Sequence, residues 1–161
     1  VGKAAILFYL AAYALTNLGA FGIIALLGSR ERDNDDLRDY AGLWYSHPAL
    51  ATLMTIFLLS LGGFPPTAGF IAKWYVFSAA VGSGYYGLAI IGVLSSVVSV
   101  FFYLRIVVMM YMSERDAPPI PAPATAIAMG ALGITVAGVL YLGVLPTQLI
   151  NLAQDSVATI F

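Results

Sequence analysis

Lys73 is the residue whose type and position point most directly to chemistry, because it lies deep within a long apolar segment, residues 49–83. It lies nine positions before Gly82, near the end of that segment, which corresponds to about 13–14 Å of helix. That depth is close to the middle of a hydrocarbon core roughly 30 Å thick. Ionisable groups so deep generally face a bundle interior or a water-filled cavity and serve ion transfer. The sequence therefore predicts that Lys73 exchanges protons.

Snorkelling is the structural alternative for Lys73, with the ammonium stretched to the membrane interface. The nearest interface lies toward the C-terminus of the helix, whereas helical side chains lean toward the N-terminus. We therefore expect the amine to stay inside, where burial disfavours its charged form and makes proton release accessible. All eight acidic residues lie in loops or in the tail, so a negative partner has to come from elsewhere in a larger assembly.

The same apolar segment contains four helix-breaking residues: Gly62, Gly63, Pro65 and Pro66. As one helix its 35 residues would extend about 52 Å, far beyond the bilayer core. Because proline lacks an N–H and clashes with the preceding turn, we expect two half-helices, roughly 49–61 and 68–83. The unwound backbone between them is tolerated at membrane depth only if it is buried or lines a cavity, and transporters build ion sites at such breaks. Two separate short spans are the alternative, although 13 residues are too few to cross.

Four further polar residues form a candidate path for protons: Ser96, Ser99, Tyr103 and His47. For the serines the alternative is close helix packing, which small residues favour in membranes. For His47, which precedes Pro48, the alternative is a solvated position at the start of a helix. Both interpretations stay open from the sequence.

The composition sets the environment in which these residues must act. Hydrophobic residues make up 61% of the 161-residue chain and charged residues 9%, against about 45–50% and 25% in soluble domains. A soluble fold of this size cannot hide so much apolar surface. The net charge of −1 gives no electrostatic footprint for nucleic acid.

Metal and redox chemistry are excluded by the residue counts. The chain has no cysteine and one histidine, which rules out disulfides, iron–sulfur clusters and a zinc site of its own. Asp33 and Asp35 have the spacing of a calcium loop but lack its sixth-position glycine and twelfth-position glutamate. We expect no metal site and no cofactor in this chain, so any electrons are carried elsewhere.

The apolar segments predict an all-α, polytopic transmembrane helix bundle of about four spans with one broken helix. The expected spans are 4–28, 49–83 with its break near 62–66, 86–112 and 123–145. An amphipathic tail, 146–161, should lie along the membrane interface. We interpret 1–161 as a single transmembrane domain that is a fragment of a larger subunit.

Basic residues predict the orientation. The loops 29–47 and 113–122 carry four arginines: Arg30, Arg32, Arg38 and Arg115. The opposite side has only Lys3, near a terminus. Since basic residues mark the cytoplasmic face, we expect both loops in the cytoplasm and both termini in the periplasm.

Several sequence blocks together resemble the antiporter-like membrane subunits of respiratory complex I, NADH:quinone oxidoreductase. The blocks are Asn17-Leu-Gly-Ala-Phe21, Asp36-Leu-Arg-Asp-Tyr-Ala-Gly-Leu43, Ser60-Leu-Gly-Gly-Phe-Pro-Pro-Thr-Ala-Gly-Phe-Ile-Ala-Lys-Trp-Tyr75 and Phe102-Tyr-Leu-Arg105. The resemblance covers essentially the whole chain and implies the last third, the final four spans, of a subunit with about fourteen. In this family a broken helix carries a titratable residue that exchanges protons, and Lys73 matches that position. One sister subunit has a glutamate there, so the lysine argues against that subunit.

The resemblance implies a function and its partners. The chain would belong to a non-redox, proton-translocating subunit in the bacterial inner membrane, coupling quinone reduction to proton transfer through Lys73. The implied partners are the other membrane subunits, the missing N-terminal part of the same subunit, and lipid. A subunit of a cation/proton antiporter, which shares the fold, is the alternative.

Overall fold

A computed structural model describes residues 2–28, 36–114 and 125–160. Residues 29–35 and 115–124, which include most of the predicted loop arginines, lie outside the described part. The described residues form helices and connecting turns without any strand, which confirms the all-α prediction. The elements are α1 (Gly2–Leu27), a 3₁₀ helix (Leu37–Tyr40), α2 (Leu43–Ser46), α3 (Pro48–Gly62), α4 (Ala68–Gly82), α5 (Tyr86–Met112), α6 (Ala126–Val144) and α7 (Thr147–Ile160).

Three of these helices, α1, α5 and α6, are long and apolar enough to cross a membrane by length and composition. The helix α5 matches the predicted span 86–112, and α1 begins two residues before the predicted 4–28. For the predicted span 123–145 the structure has Ala126–Val144, with residues 123 and 124 outside the described ranges. The shorter apolar helices α3 and α4 together occupy the remaining predicted segment.

The predicted break in 49–83 is present, between Gly63 and Thr67. Gly62 is still the last helical residue, one position later than expected, and Pro65 and Pro66 lie in the non-helical stretch. Gly63 ends α3 with a left-handed φ of 87°, a conformation that glycine adopts without steric cost. Its N–H donates to the carbonyls of the preceding turn. A single unbroken helix through the prolines is therefore excluded.

Helix α1 lies at the centre of the described bundle and packs against α3, α4, α6 and α7. Phe57 of α3 is fully buried and its ring occupies the space that a side chain at Gly19 of α1 would need. On the other side α5 contacts α3 and α4, while most of its large apolar side chains are exposed. The half-helices α3 and α4 are thus held between α1 and α5, which places the break inside the bundle.

The segment 36–46 packs at the C-terminal end of α5. The Gly42 N–H donates to the Met109 carbonyl at 3.1 Å, and the Trp44 ring stacks on Tyr111 with centroids 5.0 Å apart. The described end of loop 29–47 therefore lies beside the start of loop 113–122, as four spans require. The side of the membrane that they face stays a prediction.

The tail forms α7, which packs against α1. Ile150 and Ala153 are buried and Leu149 packs onto the core, whereas Leu152 is 62% exposed. One face of this amphipathic helix is thus used within the chain. Its location at a membrane interface stays a prediction.

Candidate functional site

A cleft of about 340 Å³ lies between α1, α3, α4 and α5, next to the break. Its polar lining consists of hydroxyl groups and one amine: Tyr9, Tyr13, Thr16, Ser60, Lys73, Ser95, Ser96, Ser99 and Tyr103. No carboxylate is among the lining residues that the structure describes. The amine is therefore surrounded by neutral groups that can both donate and accept hydrogen bonds.

Lys73 is anchored at the C-terminal end of α3. Its Nζ donates to the carbonyl oxygens of Leu61 at 2.9 Å and Gly62 at 3.0 Å. In a continuous helix these carbonyls would accept from the backbone nitrogens four residues later. Those positions are Pro65 and Pro66, which have no N–H to donate. The prolines thus leave two part-buried acceptors that the ammonium satisfies, at the negative end of the α3 dipole.

The direction of the lysine side chain follows from helix geometry. Side chains on α4 lean toward its N-terminus, so Lys73 extends back to the end of α3 instead of out toward the interface. A Cβ at Gly63 would lie 2.9 Å from Lys73 Cδ, so the absence of a side chain there leaves room for the lysine stem. The side chain of Lys73 is half-buried, and its depth in a membrane stays a prediction.

A chain of hydrogen bonds holds α4 and α1 to the last turn of α3. The Gly69 N–H lies 3.2 Å from Ser60 Oγ, and Ser60 Oγ lies 3.2 Å from Thr16 Oγ1. Thr16 Oγ1 is also 2.7 Å from the Ala12 carbonyl oxygen, to which it donates. An added Cβ at Gly69 would overlap the Ser60 carbonyl oxygen, so α3 and α4 approach here as closely as glycine permits.

Three of the four residues predicted as a polar path lie in this cleft. Ser96, Ser99 and Tyr103 line it together with Lys73. The Ser96 and Ser99 hydroxyls donate to carbonyls one turn earlier in α5, which leaves their oxygen lone pairs able to accept. His47 is not among the lining residues. It precedes Pro48 at the opposite end of α3, roughly 22 Å of helix from the break.

The sequence analysis missed two tyrosines of α1. Tyr9 and Tyr13 line the cleft, and their rings stack with centroids 5.9 Å apart and an interplanar angle of 10°. With Thr16 they occupy positions i, i+4 and i+7, which share one face of a helix. That polar stripe on an otherwise apolar helix was the available signal.

Comparison with known proteins places the chain in a family. Residues 1–99 match the family described as NADH:quinone oxidoreductase/Mrp antiporter, transmembrane. The chain belongs to this family. The predicted resemblance is confirmed, and with the apolar helices it makes the chain part of a multi-pass membrane protein.

Curated relatives of the chain include subunits of NADH-quinone oxidoreductase. Subunit N from Trichlorobacter lovleyi is 45% identical over 99% of the chain and 33% of its own length. A subunit N from Rhizobium meliloti is 43% identical over 96% of the chain and 32% of its own length. The chain therefore spans about a third of the length of the relatives it matches.

Two solved structures share the fold. A chain of respiratory complex I from Thermus thermophilus superposes with a TM-score of 0.81 and 28% identity; the match covers 92% of the present chain and 34% of the complex I chain. A chain of the Mrp complex from Dietzia superposes with a TM-score of 0.79 and 20% identity; the match covers 95% of the present chain and 36% of the Mrp chain. At 20% identity the second likeness shows the fold alone.

Proposed function

We propose that this chain forms part of the proton-translocating membrane subunit of a bacterial NADH:quinone oxidoreductase, and that Lys73 is the group that exchanges the proton. The observation that carries the proposal is the placement of one amine at a helix break, held by two backbone carbonyls in a cleft lined by hydroxyls. Lys73 is half-buried, and an apolar residue could fill this space without the cost of placing a charge among apolar helices. The presence of a titratable side chain at this place is explained by a change of its charge during proton exchange.

The two carbonyls allow Lys73 to change its charge without leaving its place. An ammonium has three N–H donors, and two of them are directed at Leu61 O and Gly62 O. A neutral amine keeps two N–H groups, so both contacts persist after deprotonation. The third proton is the one that exchanges, through the hydroxyls and water that the cleft can hold.

The driving force for proton movement comes from outside this chain. The carbonyls stabilise the ammonium without neutralising it, and no carboxylate lines the described cleft. A negative charge that approaches Lys73 from the remaining part of the subunit would favour proton uptake, and its withdrawal would favour release. The chain has no cysteine with which to hold an iron–sulfur cluster, and in this proposal quinone reduction proceeds in other subunits and is coupled to this site through the assembly.

The proposed partners and placement follow from this role. The partners are the other membrane subunits of the complex, the part of the same subunit that its relatives have beyond this third, and lipid. The membrane is the bacterial inner membrane, with loops 29–47 and 113–122 in the cytoplasm because of their arginines.

A cation/proton antiporter subunit is the second candidate function. It is supported by the family description, which covers both classes, and by the fold of the Mrp complex. The relatives named as subunit N, at 45% and 43% identity, favour the redox-driven complex. Copurification of the intact subunit with flavin and iron–sulfur proteins, and NADH:quinone oxidoreductase activity of that preparation, would separate the two.

Substitution of Lys73 in the intact complex tests the proposal. Lys73→Met keeps the length of the side chain and removes titration, so NADH-driven proton uptake by inverted membrane vesicles should fall on the order of a hundredfold, the lower end for loss of a proton-transfer group. Lys73→Arg keeps the charge but cannot release it, and should also fail. Lys3→Met, the other lysine of the chain, is the matched control and should pump normally. A Lys73→Met complex that assembles and pumps at the wild-type rate would refute the proton-carrier role.

A further inference from the structure

The half-helices α3 and α4 cap each other across the break. At the end of α3, Lys73 Nζ donates to the Leu61 and Gly62 carbonyls. At the start of α4, the Gly69 N–H donates to Ser60 Oγ. Helix termini leave four N–H groups and four carbonyls without intrahelical partners. Each half-helix therefore supplies, from one side chain, a group that the other half lacks.

The side chain of the N-cap residue of α4 does not accept a hydrogen bond from the first turn of that helix. Thr67 makes no side-chain cap hydrogen bond, and its hydroxyl instead donates backward to the Phe64 carbonyl at 2.6 Å. An N-cap threonine ordinarily accepts from the second or third N–H of its helix, and Gly69 is the second residue of α4. Ser60, from the preceding helix, takes over as the acceptor.

Thr16 on α1 determines where the Ser60 hydroxyl points. A hydroxyl has one hydrogen, and that of Thr16 goes to the Ala12 carbonyl. Thr16 can therefore only accept from Ser60, so the Ser60 hydrogen faces α1 and its lone pair faces Gly69. Thr16 is 1% exposed and Ser60 0%, so both bonds lie away from bulk solvent. The donors run in one direction, from Gly69 through Ser60 and Thr16 to Ala12.

The hydroxyls of Thr16 and Ser60, the hydroxyl pair, act on Lys73 by fixing the position of α4. Lys73 follows Gly69 by four residues and so lies on the same face of the helix. Holding Gly69 against Ser60 holds the lysine backbone one turn further along, at the distance from which Nζ reaches both carbonyls. Those contacts are 2.9 and 3.0 Å, and a movement of α4 away from α3 changes the distance that the lysine side chain has to span to keep them.

We propose that Thr16 and Ser60 are positioning residues for proton exchange at Lys73. They hold the start of α4 against the end of α3 and thereby hold the amine on the two carbonyls that stabilise its charged form. The inference rests on the proposed proton-transfer role of Lys73 and extends it to a residue of α1, a helix that does not contribute to the break.

Thr16→Val in the intact complex is the main test, because it removes the hydroxyl and nearly keeps the shape of the side chain. We expect the rate of NADH-driven proton translocation per assembled complex to fall about fivefold, the factor that corresponds to one ordinary hydrogen bond. Thr16→Ser keeps the hydroxyl and should pump close to the wild-type rate. A normal rate for Thr16→Ser would show that pumping depends on the hydroxyl of Thr16 and not on the packing of its methyl group.

Thr135→Val on α6 is the matched control. Thr135 makes the same hydrogen bond to the carbonyl four residues earlier, Ala131, at 2.8 Å, but has no part in the chain of bonds at the break. Its substitution should leave pumping unchanged. A fall as large as that of Thr16→Val would mean that threonine-to-valine changes in helices impair pumping in general, and would overturn the inference.

The outcomes separate this inference from the proposed function. Wild-type pumping by Thr16→Val beside a defective Lys73→Met would overturn the positioning role alone. Normal pumping by Lys73→Met would overturn both. If Thr16→Val does not assemble, Ser60→Ala is measured in the same way. Failure of both variants to assemble would make the hydroxyl pair a requirement of folding and would overturn its role in tuning Lys73.

Discussion

Gly69→Ala is the substitution that tests the geometry of the break most severely. The added Cβ would overlap the carbonyl oxygen of Ser60. It would also lie 2.7 Å from the carbonyl carbon and 3.1 Å from the Oγ of the same residue. These neighbours are mainly backbone atoms, which cannot rotate away as the end of a flexible side chain can. The start of α4 must therefore move away from α3, and the Gly69–Ser60 hydrogen bond, already 3.2 Å long, is lost.

The magnitude follows from three terms. Overpacking of a close helix contact costs about 1–3 kcal/mol, and loss of the hydrogen bond adds about 1 kcal/mol. Alanine gains about 1 kcal/mol over glycine within a helix. Steric overlap outweighs helix propensity, and we expect a net loss of roughly 1–3 kcal/mol. Because α4 carries Lys73, its movement should also lengthen the contacts to the α3 carbonyls and reduce pumping.

The assay is the half-life of NADH-driven proton pumping at elevated temperature, together with its initial rate per assembled complex. Gly82→Ala, at the other end of α4, is the matched control, since a Cβ there meets nothing within 4 Å among the described residues. It should keep the wild-type rate and half-life. If Gly69→Ala pumps at the wild-type rate with an unchanged half-life, the close approach of α3 and α4 is not what positions Lys73, and the reasoning is refuted.

Two further predictions concern orientation and packing. Tyr45 is 73% exposed, so Tyr45→Cys in a subunit cleared of other cysteines should react with an impermeant thiol reagent in inverted vesicles and stay unmodified in spheroplasts. The reverse pattern would invert the proposed topology. Phe57→Ala should shorten the thermal half-life of the purified complex, because loss of a fully buried ring against Gly19 leaves a cavity worth about 3–5 kcal/mol. Phe21→Ala, at a site 64% exposed, should have a smaller effect, and equal half-lives for the two variants would contradict the assigned core.

Much of the architecture could be predicted because it depends on local properties of the chain. The span 86–112 was predicted from its apolar length and is observed as α5. The break was predicted because proline lacks an N–H wherever it stands, and the structure differs from the expected position by one residue, at Gly62. The depth of Lys73 in the membrane rests on counting residues at a fixed rise per residue and stays a prediction.

The candidate site was predicted only in part. Ser96, Ser99 and Tyr103 line the cleft with Lys73, whereas His47 does not, because the length of α3 separates it from the break. The sequence analysis looked for a charged partner of Lys73 and found none within the chain. The structure supplies backbone carbonyls in its place, and a backbone acceptor leaves no signature in the residue types.

The sequence by itself determined the apolar spans, the break and the lysine that follows it, since each depends on side-chain type, proline chemistry and helical rise. Tertiary structure alone decided what surrounds that amine. The contact between Thr16 and Ser60 joins residues 44 positions apart, and the tyrosines Tyr9 and Tyr13 reach the cleft only because α1 packs against the break. Such contacts depend on how helices approach one another, and close approach is set by the shapes of both surfaces together, which no pattern within one helix encodes.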